Sequence, residues 1–103
     1  MKIIKVMSEK IKEELKDAEA YIDMAMEWKK EHPEAADLFA ELSAEEMGHV
    51  EKLHKGVTEL ITAYRETTGE PPAGMMAVWE YLHEQQIQNA MRIKVKQTMY
   101  REA

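Results

Sequence analysis

The stretch Phe39-Ala40-Glu41-Leu42-Ser43-Ala44-Glu45-Glu46-Met47-Gly48-His49-Val50-Glu51-Lys52-Leu53 decides how this chain reads. Steps of three and four through it select Phe39, Leu42, Glu46, His49 and Leu53, and continue to Gly56, Leu60 and Ala63. That spacing follows one face of an α-helix. The face is apolar except at Glu46 and His49, which occupy consecutive positions on it. The same steps through the preceding segment select Ile4, Met7, Ile11, Glu14, Ala18, Tyr21, Ala25 and Trp28, widened by Leu15 and Ile22. Glu14 is the one acidic member of that stripe. Three ionisable side chains therefore stand in two otherwise apolar seams.

Punctuation around these seams sets the architecture. Pro33 lies alone in Glu31-His32-Pro33-Glu34, and Pro71 and Pro72 fall in Thr68-Gly69-Glu70-Pro71-Pro72-Ala73-Gly74. Between these breaks are strong helix formers and no strand pattern. The reading is all-α and a single domain of 103 residues. A hairpin of two long helices, from Ser8 to Lys30 and from Pro33 to Glu66, occupies residues 8–66. Ser8 is the expected N-cap of the first and Pro33 opens the second. Residues 67–74 form a linker and 75–101 a C-terminal helix. The short first connection makes the hairpin helices antiparallel neighbours. The third helix either returns against them or projects toward a partner chain.

Composition narrows the function. The formal net charge is −6, which argues against a nucleic-acid partner. No run approaches the roughly 20 apolar residues of a membrane span. The opening Met1-Lys2-Ile3-Ile4-Lys5-Val6 is too short and too charged for a signal peptide, so the cytoplasm is the expected compartment. There is no cysteine, which excludes disulfides, thiolate metal sites and thiol catalysis. Any metal site must use His and carboxylate.

A buried, unpaired carboxylate costs several kcal/mol, on the order of the penalty for any ion left in the interior, so such groups are paired, protonated or metal-bound. Glu46 and His49 are three apart and emerge from one helix face. Glu14 lies about 18 residues before the turn and the Glu46–His49 midpoint about 15 after it, so at roughly 1.5 Å per residue the three stand within about one turn in height. One hairpin offers two carboxylates and one imidazole. Doubling Glu14, Glu46 and His49 about a two-fold axis gives four Glu and two His, the ligand set of a di-iron carboxylate site. A homodimer would then complete one four-helix bundle. Such a donor set suits iron, two per site, or manganese, with zinc also open. The competing reading is a hydrogen-bonded polar set that fixes helix register in a metal-free interaction module.

The segments Glu14-Leu15-Lys16-Asp17-Ala18-Glu19-Ala20-Tyr21 and Ala44-Glu45-Glu46-Met47-Gly48-His49 resemble the rubrerythrin-type branch of the ferritin-like superfamily. The first is similar to that family's ligand Glu followed seven residues later by a Tyr, the second to its Glu-Glu-x-x-His block. The resemblance covers roughly residues 8 to 62. It implies Glu14 as a terminal or shifting ligand, Glu46 as a bridge, His49 as the nitrogen ligand and Tyr21 as a catalytic phenol beside the metals. A core aromatic with a satisfied hydroxyl is the other reading of Tyr21. The implied fold is a ferritin-like antiparallel bundle. The implied function is oxidation of Fe(II) by oxygen or peroxide, ferroxidase or peroxidase-like, with an external electron donor an option. The chain departs from full rubrerythrins in lacking a fourth long helix and a cysteine-bound electron-transfer site. In this it is similar to short half-bundle relatives, including encapsulated ferritins, that form the site across a homodimer or a higher homo-oligomer.

The third helix carries Glu80-Tyr81-Leu82-His83 and Glu84 beside its most apolar line of Met75, Trp79, Leu82, Gln86, Ala90, Ile93, Gln97 and Tyr100. These three residues either join an intrachain site or lie at the surface or an interface, and the latter is expected. Arg92, Lys94, Lys96 and Arg101 either meet acidic residues of a partner subunit or are solvated. His32 and His54 read as solvated, Trp28 and Trp79 as anchors at bundle ends. The nine methionines are scattered as pliable packing residues rather than as a soft-metal site.

Overall fold

The computed structural model describes residues 1–103 as three helices: α1 (Lys2–Trp28), α2 (Pro33–Thr67) and α3 (Ala73–Glu102). They pack as an all-α, up–down–up bundle measuring 56 × 19 × 18 Å. The long dimension is that of α2 alone, whose 35 residues span about 52 Å at the α-helical rise. Each end of α3 is tied to an end of α1. The Met1 ammonium lies 2.8 Å from the Met75 sulfur, and Lys29 Nζ donates to the Tyr100 carbonyl at 2.7 Å. α3 therefore returns against the hairpin, parallel to α1, and leans on α1 more than on α2.

The helix ends follow from local chemistry. Pro33 opens α2, where its missing N–H is no loss. The Thr68 and Gly69 amides both donate to the Tyr64 carbonyl, and Gly69 takes φ +110°, a left-handed conformation that suits glycine. Pro71 and Pro72 then prevent α2 from continuing, and the connection Thr68–Pro72 is shorter than the sequence suggested. α1 starts at Lys2 rather than at Ser8. The reason is tertiary: Ile4 is only 4% exposed, packed into the main core, and helices are held chiefly by such burial rather than by caps. Ser8 is inside the helix and buried, and Gln86 Nε2 donates to its Oγ at 3.2 Å.

The buried lines are turned slightly from the expected seams. α1 buries Ile4, Ser8, Ile11, Leu15, Ala18, Ile22 and Ala25, and α2 buries Ala36, Ser43, Met47, Val50, Val57 and Ile61. α3 causes this rotation. It covers the flank of α1 bearing Ser8, Glu19 and Asp23, so the core moves toward residues that face two neighbours. The opposite flank keeps Met7, Glu14, Tyr21, Phe39, Leu42, Glu46, Leu53 and Leu60 half-buried.

Two polar devices hold α3. Deep in the bundle, Ser43 Oγ donates to the Ala18 carbonyl at 2.7 Å and accepts from Gln97 Nε2 at 2.9 Å. At the rim, Arg92 grips both Glu19 carboxylate oxygens at 2.7 and 2.9 Å, and Lys96 bridges Glu19 and Asp23 at 3.1 and 2.8 Å. With Lys94 at 4.0 Å from Glu51, three members of the basic stretch thus find acidic partners within the chain. The Arg92 hydrogen bond, opposed by burial and reinforced by Lys96, holds the Glu19 carboxyl at about 2, against an ordinary 4.5.

A carboxyl lowered in the folded state stabilises above its unfolded pKa, and that contribution disappears as pH falls toward the folded value. Glu19→Gln is therefore expected to cost less than about 1 kcal/mol at pH 7, because the carboxylate is partly solvated. The deficit should shrink between pH 4.5 and about 2. Urea midpoints of parent and variant across that range check this; a deficit independent of pH would contradict it.

Candidate metal centre

Glu14 on α1 and Glu46 and His49 on α2 meet on the flank that α3 leaves open. Antiparallel packing brings them level, and their ligand atoms all lie within 4.8 Å of one another. His49 Nδ1 stands 3.5 Å from Glu14 Oε2 and 3.6 Å from Glu46 Oε2. Both carboxylates are 18% exposed, while the His49 side chain is 54% exposed. The cluster thus sits in the groove between two helices with its imidazole toward solvent.

The donor set suits a divalent cation in charge and chemistry. Two carboxylates and one imidazole stand together with no Lys or Arg paired to them. Glu46 Oε2 is buried and has no hydrogen-bond partner, a state that calls for a missing proton, water or ion. With bonds of about 2.1 Å, neighbouring ligand atoms stand about 3.0 Å apart around an octahedral ion and about 3.4 Å around a tetrahedral one. The observed 3.5 and 3.6 Å separations need only a small inward movement of flexible side chains.

Other candidate residues lie elsewhere. Tyr21 is on the same flank, two helical turns along α1 from Glu14, with its ring stacked on Phe39 at 6.4 Å. His83 is on the α3 side, stacked on His54 at 4.5 Å and on Trp79 at 5.3 Å. Glu80 and Glu84 beside it are exposed. The group that could hold an ion consists of Glu14, Glu46 and His49; the structure does not bring Glu80, His83 and Glu84 to it.

No family model, curated protein or solved structure matches this chain. The functional reading rests on the residues and their geometry.

One correction concerns an aromatic residue. His54 is half-buried in the ring stack rather than solvated. A signal for this was present, since residues 47, 50, 54, 57 and 61 repeat at steps of three and four. Trp79 is buried in the main core, whereas Trp28 is 37% exposed beside His32 near the hairpin turn.

Replacing an unpartnered, largely desolvated carboxylate by an apolar side chain relieves its desolvation penalty. Glu46→Leu is expected to raise the stability of chelator-treated protein, by about 1 kcal/mol given its partial exposure. Thermal unfolding in excess chelator checks this. A lower midpoint would show that Glu46 already satisfies a structural role without metal.

Proposed function

We propose that this chain is a half-bundle di-iron carboxylate protein of the ferritin and rubrerythrin type, working as a homodimer. The observation that carries the reading is the meeting of Glu14, Glu46 and His49 across the α1–α2 groove, with one Glu46 oxygen buried and without a hydrogen bond. One chain supplies half of the four-Glu, two-His set that such centres use. The half-buried residues around the cluster, Met7, Phe39, Leu42, Leu53 and Leu60, give a second hairpin an apolar stripe to cover.

In this reading Glu14, Glu46 and His49 would hold the metal together with the same three residues of a second copy. Fe(II) held by these residues would supply the electrons for reduction of oxygen or peroxide. The protein's own part is to fix the ligands and exclude bulk water. Glu14 and Glu46 bring the negative charge that favours the higher oxidation state. His49, the most exposed of the three, lies nearest the route from solvent. Tyr21 and Phe39 wall one end of the stripe, and the Tyr21 phenol, two helical turns from Glu14, is the candidate catalytic side chain on the same flank. The chain has no cysteine, so electrons come from Fe(II) itself or from a separate donor, which favours ferroxidase-like chemistry. The net charge of −6 assists collection of cations. No helix is long and apolar enough to cross a membrane, and we place the protein in the cytoplasm.

Anaerobic Fe(II) loading, with light scattering on the same sample, tests this reading. About one iron per chain in a dimer is expected, from two ions shared by two copies of the cluster. Joint replacement of Glu14, Glu46 and His49 by Leu should abolish iron retention and iron-dependent oxygen consumption while helix content persists. Failure of the parent to retain iron, with its fold intact, would leave the metal-free interaction module as the better account. Zinc or manganese retained without oxygen consumption would indicate a structural metal dimer.

A further inference from the structure

The α2–α3 seam contains a second histidine group on the side of the bundle away from Glu14. His54 from α2 and His83 from α3 stack with ring centroids 4.5 Å apart and planes 15° apart. Trp79 lies against both, at 5.3 Å from His83 and 6.3 Å from His54. His83 Nδ1 is buried without a hydrogen-bond partner, as is Gln86 Oε1 one turn on. Nearly parallel rings aim their nitrogens in parallel planes, a poor arrangement for joint ligation of one ion. They can pack face to face as uncharged rings. Two imidazolium ions at this distance repel, and a proton added at the buried His83 Nδ1 meets no acceptor within hydrogen-bond distance in the docked arrangement.

We propose that the contact of the N-terminal half of α3 with α2 is proton-sensitive: protonation of the His54–His83 pair loosens it, leaving that half held by its Met75 and Gln86 contacts with Met1 and Ser8, while the C-terminal half stays clamped to α1. The surroundings bear this out element by element. From α2, Glu51 lines the adjoining groove, but it stands 4.0 Å from Lys94 of α3, which offsets its charge. From α3, Glu84 draws a proton toward His83, and Glu80 is exposed. From α1, the groove receives only Ile11, which offers no charge. Burial first, and the neighbouring His54 second, hold the His83 imidazole below the usual histidine value of 6.5 despite Glu84.

The sign follows from linkage. Well above pH 6.5, the ordinary histidine value, the His83 ring is neutral whether docked or parted, and docking carries no penalty. Below it, the parted helix takes up protons that the docked one refuses, so docking weakens as pH falls. The far half of α3 responds in a different range. Its clamp on Glu19 keeps full strength until pH falls below about 4.5, since that carboxyl titrates only at about 2. Between pH 6.5 and 4.5 one half of α3 loosens and the other holds. The His54–His83 pair borders a groove of about 300 Å³ floored by Ile11, Met47 and Val50, which loosening of the contact would widen.

Hydrogen exchange on the full chain, corrected for intrinsic exchange, reads the two halves separately. Amides of residues 76–88 are expected to lose protection severalfold from pH 7.5 to 5.5, while those of 93–101 keep theirs. His54→Gln with His83→Gln should flatten that response. Trp79 emission in a Trp28→Phe background gives a second readout, a red shift with its midpoint below pH 6.5 in the otherwise unaltered chain. Equal loss of protection in both halves, no loss in either, or a response that persists in the Gln variant overturns the proposal.

Discussion

Everything in this molecule depends on how closely α1 and α2 approach. Ala18, Ala25, Ala36 and Ser43 are fully buried where the two helices meet. Small side chains there let the backbones come near enough for the Ser43 hydroxyl to reach the Ala18 carbonyl. Close, antiparallel contact along the hairpin fixes the register of α1 against α2. That register sets Glu14 level with Glu46 and His49, and leaves two flanks with different fates. A larger residue at Ser43 would spread the pair, breaking the link to Gln97 and widening the carboxylate cluster together.

The two flanks are distinguished by their polar chemistry. On one, Ser8, Ser43, Glu19 and Asp23 each find a partner on α3: Gln86, Gln97, Arg92 and Lys96. Each pair is modest, because net hydrogen bonds are worth about 1 kcal/mol and exposed ion pairs less. Their sum fixes direction and register rather than bulk stability, which comes from Ile11, Leu15, Val57, Trp79 and Ile93. On the other flank, the carboxylates face no arginine or lysine, only His49. An acidic group without a cation beside a row of half-buried apolar residues is an unfinished surface.

The hairpin, its turn and the level placement of Glu14, Glu46 and His49 were legible in the sequence, because each follows from local rules: a proline at the start of a helix, a step of three or four, a fixed rise. What was not legible depends on the third helix. Ser8 read as a cap because serine is a strong capping residue, yet the burial of Ile4 carried the helix past it. The seams read as centred on Glu14 and Glu46, yet α3 drew the core toward Leu15 and Met47. The α3 line of Trp79, Gln86, Ile93 and Tyr100 was visible, but which flank it would cover was not. That choice was made by the Glu19–Arg92 pair, seventy-three positions apart, a separation over which no periodicity speaks. His54 was misjudged for a related reason: its ring partners, Trp79 and His83, belong to another helix.

The position of α3 bears directly on the proposed dimer. Had α3 lain over Glu14 and Glu46, it would have closed the groove with its own glutamines and left a second hairpin no access. It lies on the opposite side, and its return to α1 uses none of the cluster residues. A second copy approaching the Glu14 flank would bury Met7, Phe39, Leu42, Leu53 and Leu60 without displacing any α3 contact. Such an assembly would hold a four-helix centre of two hairpins with an α3 on each outer side. The outer face of α3 fits this only partly, since Tyr81, Met91, Val95 and Met99 are each more than half exposed. An apolar residue alone on a surface is ordinary. Met91, Val95 and Met99 instead recur at steps of four, so they line one strip of a helix that already buries its opposite face. A helix with apolar residues on both faces fits a setting with neighbours on both sides, so the two-fold centre need not be the last contact this chain makes with its own copies.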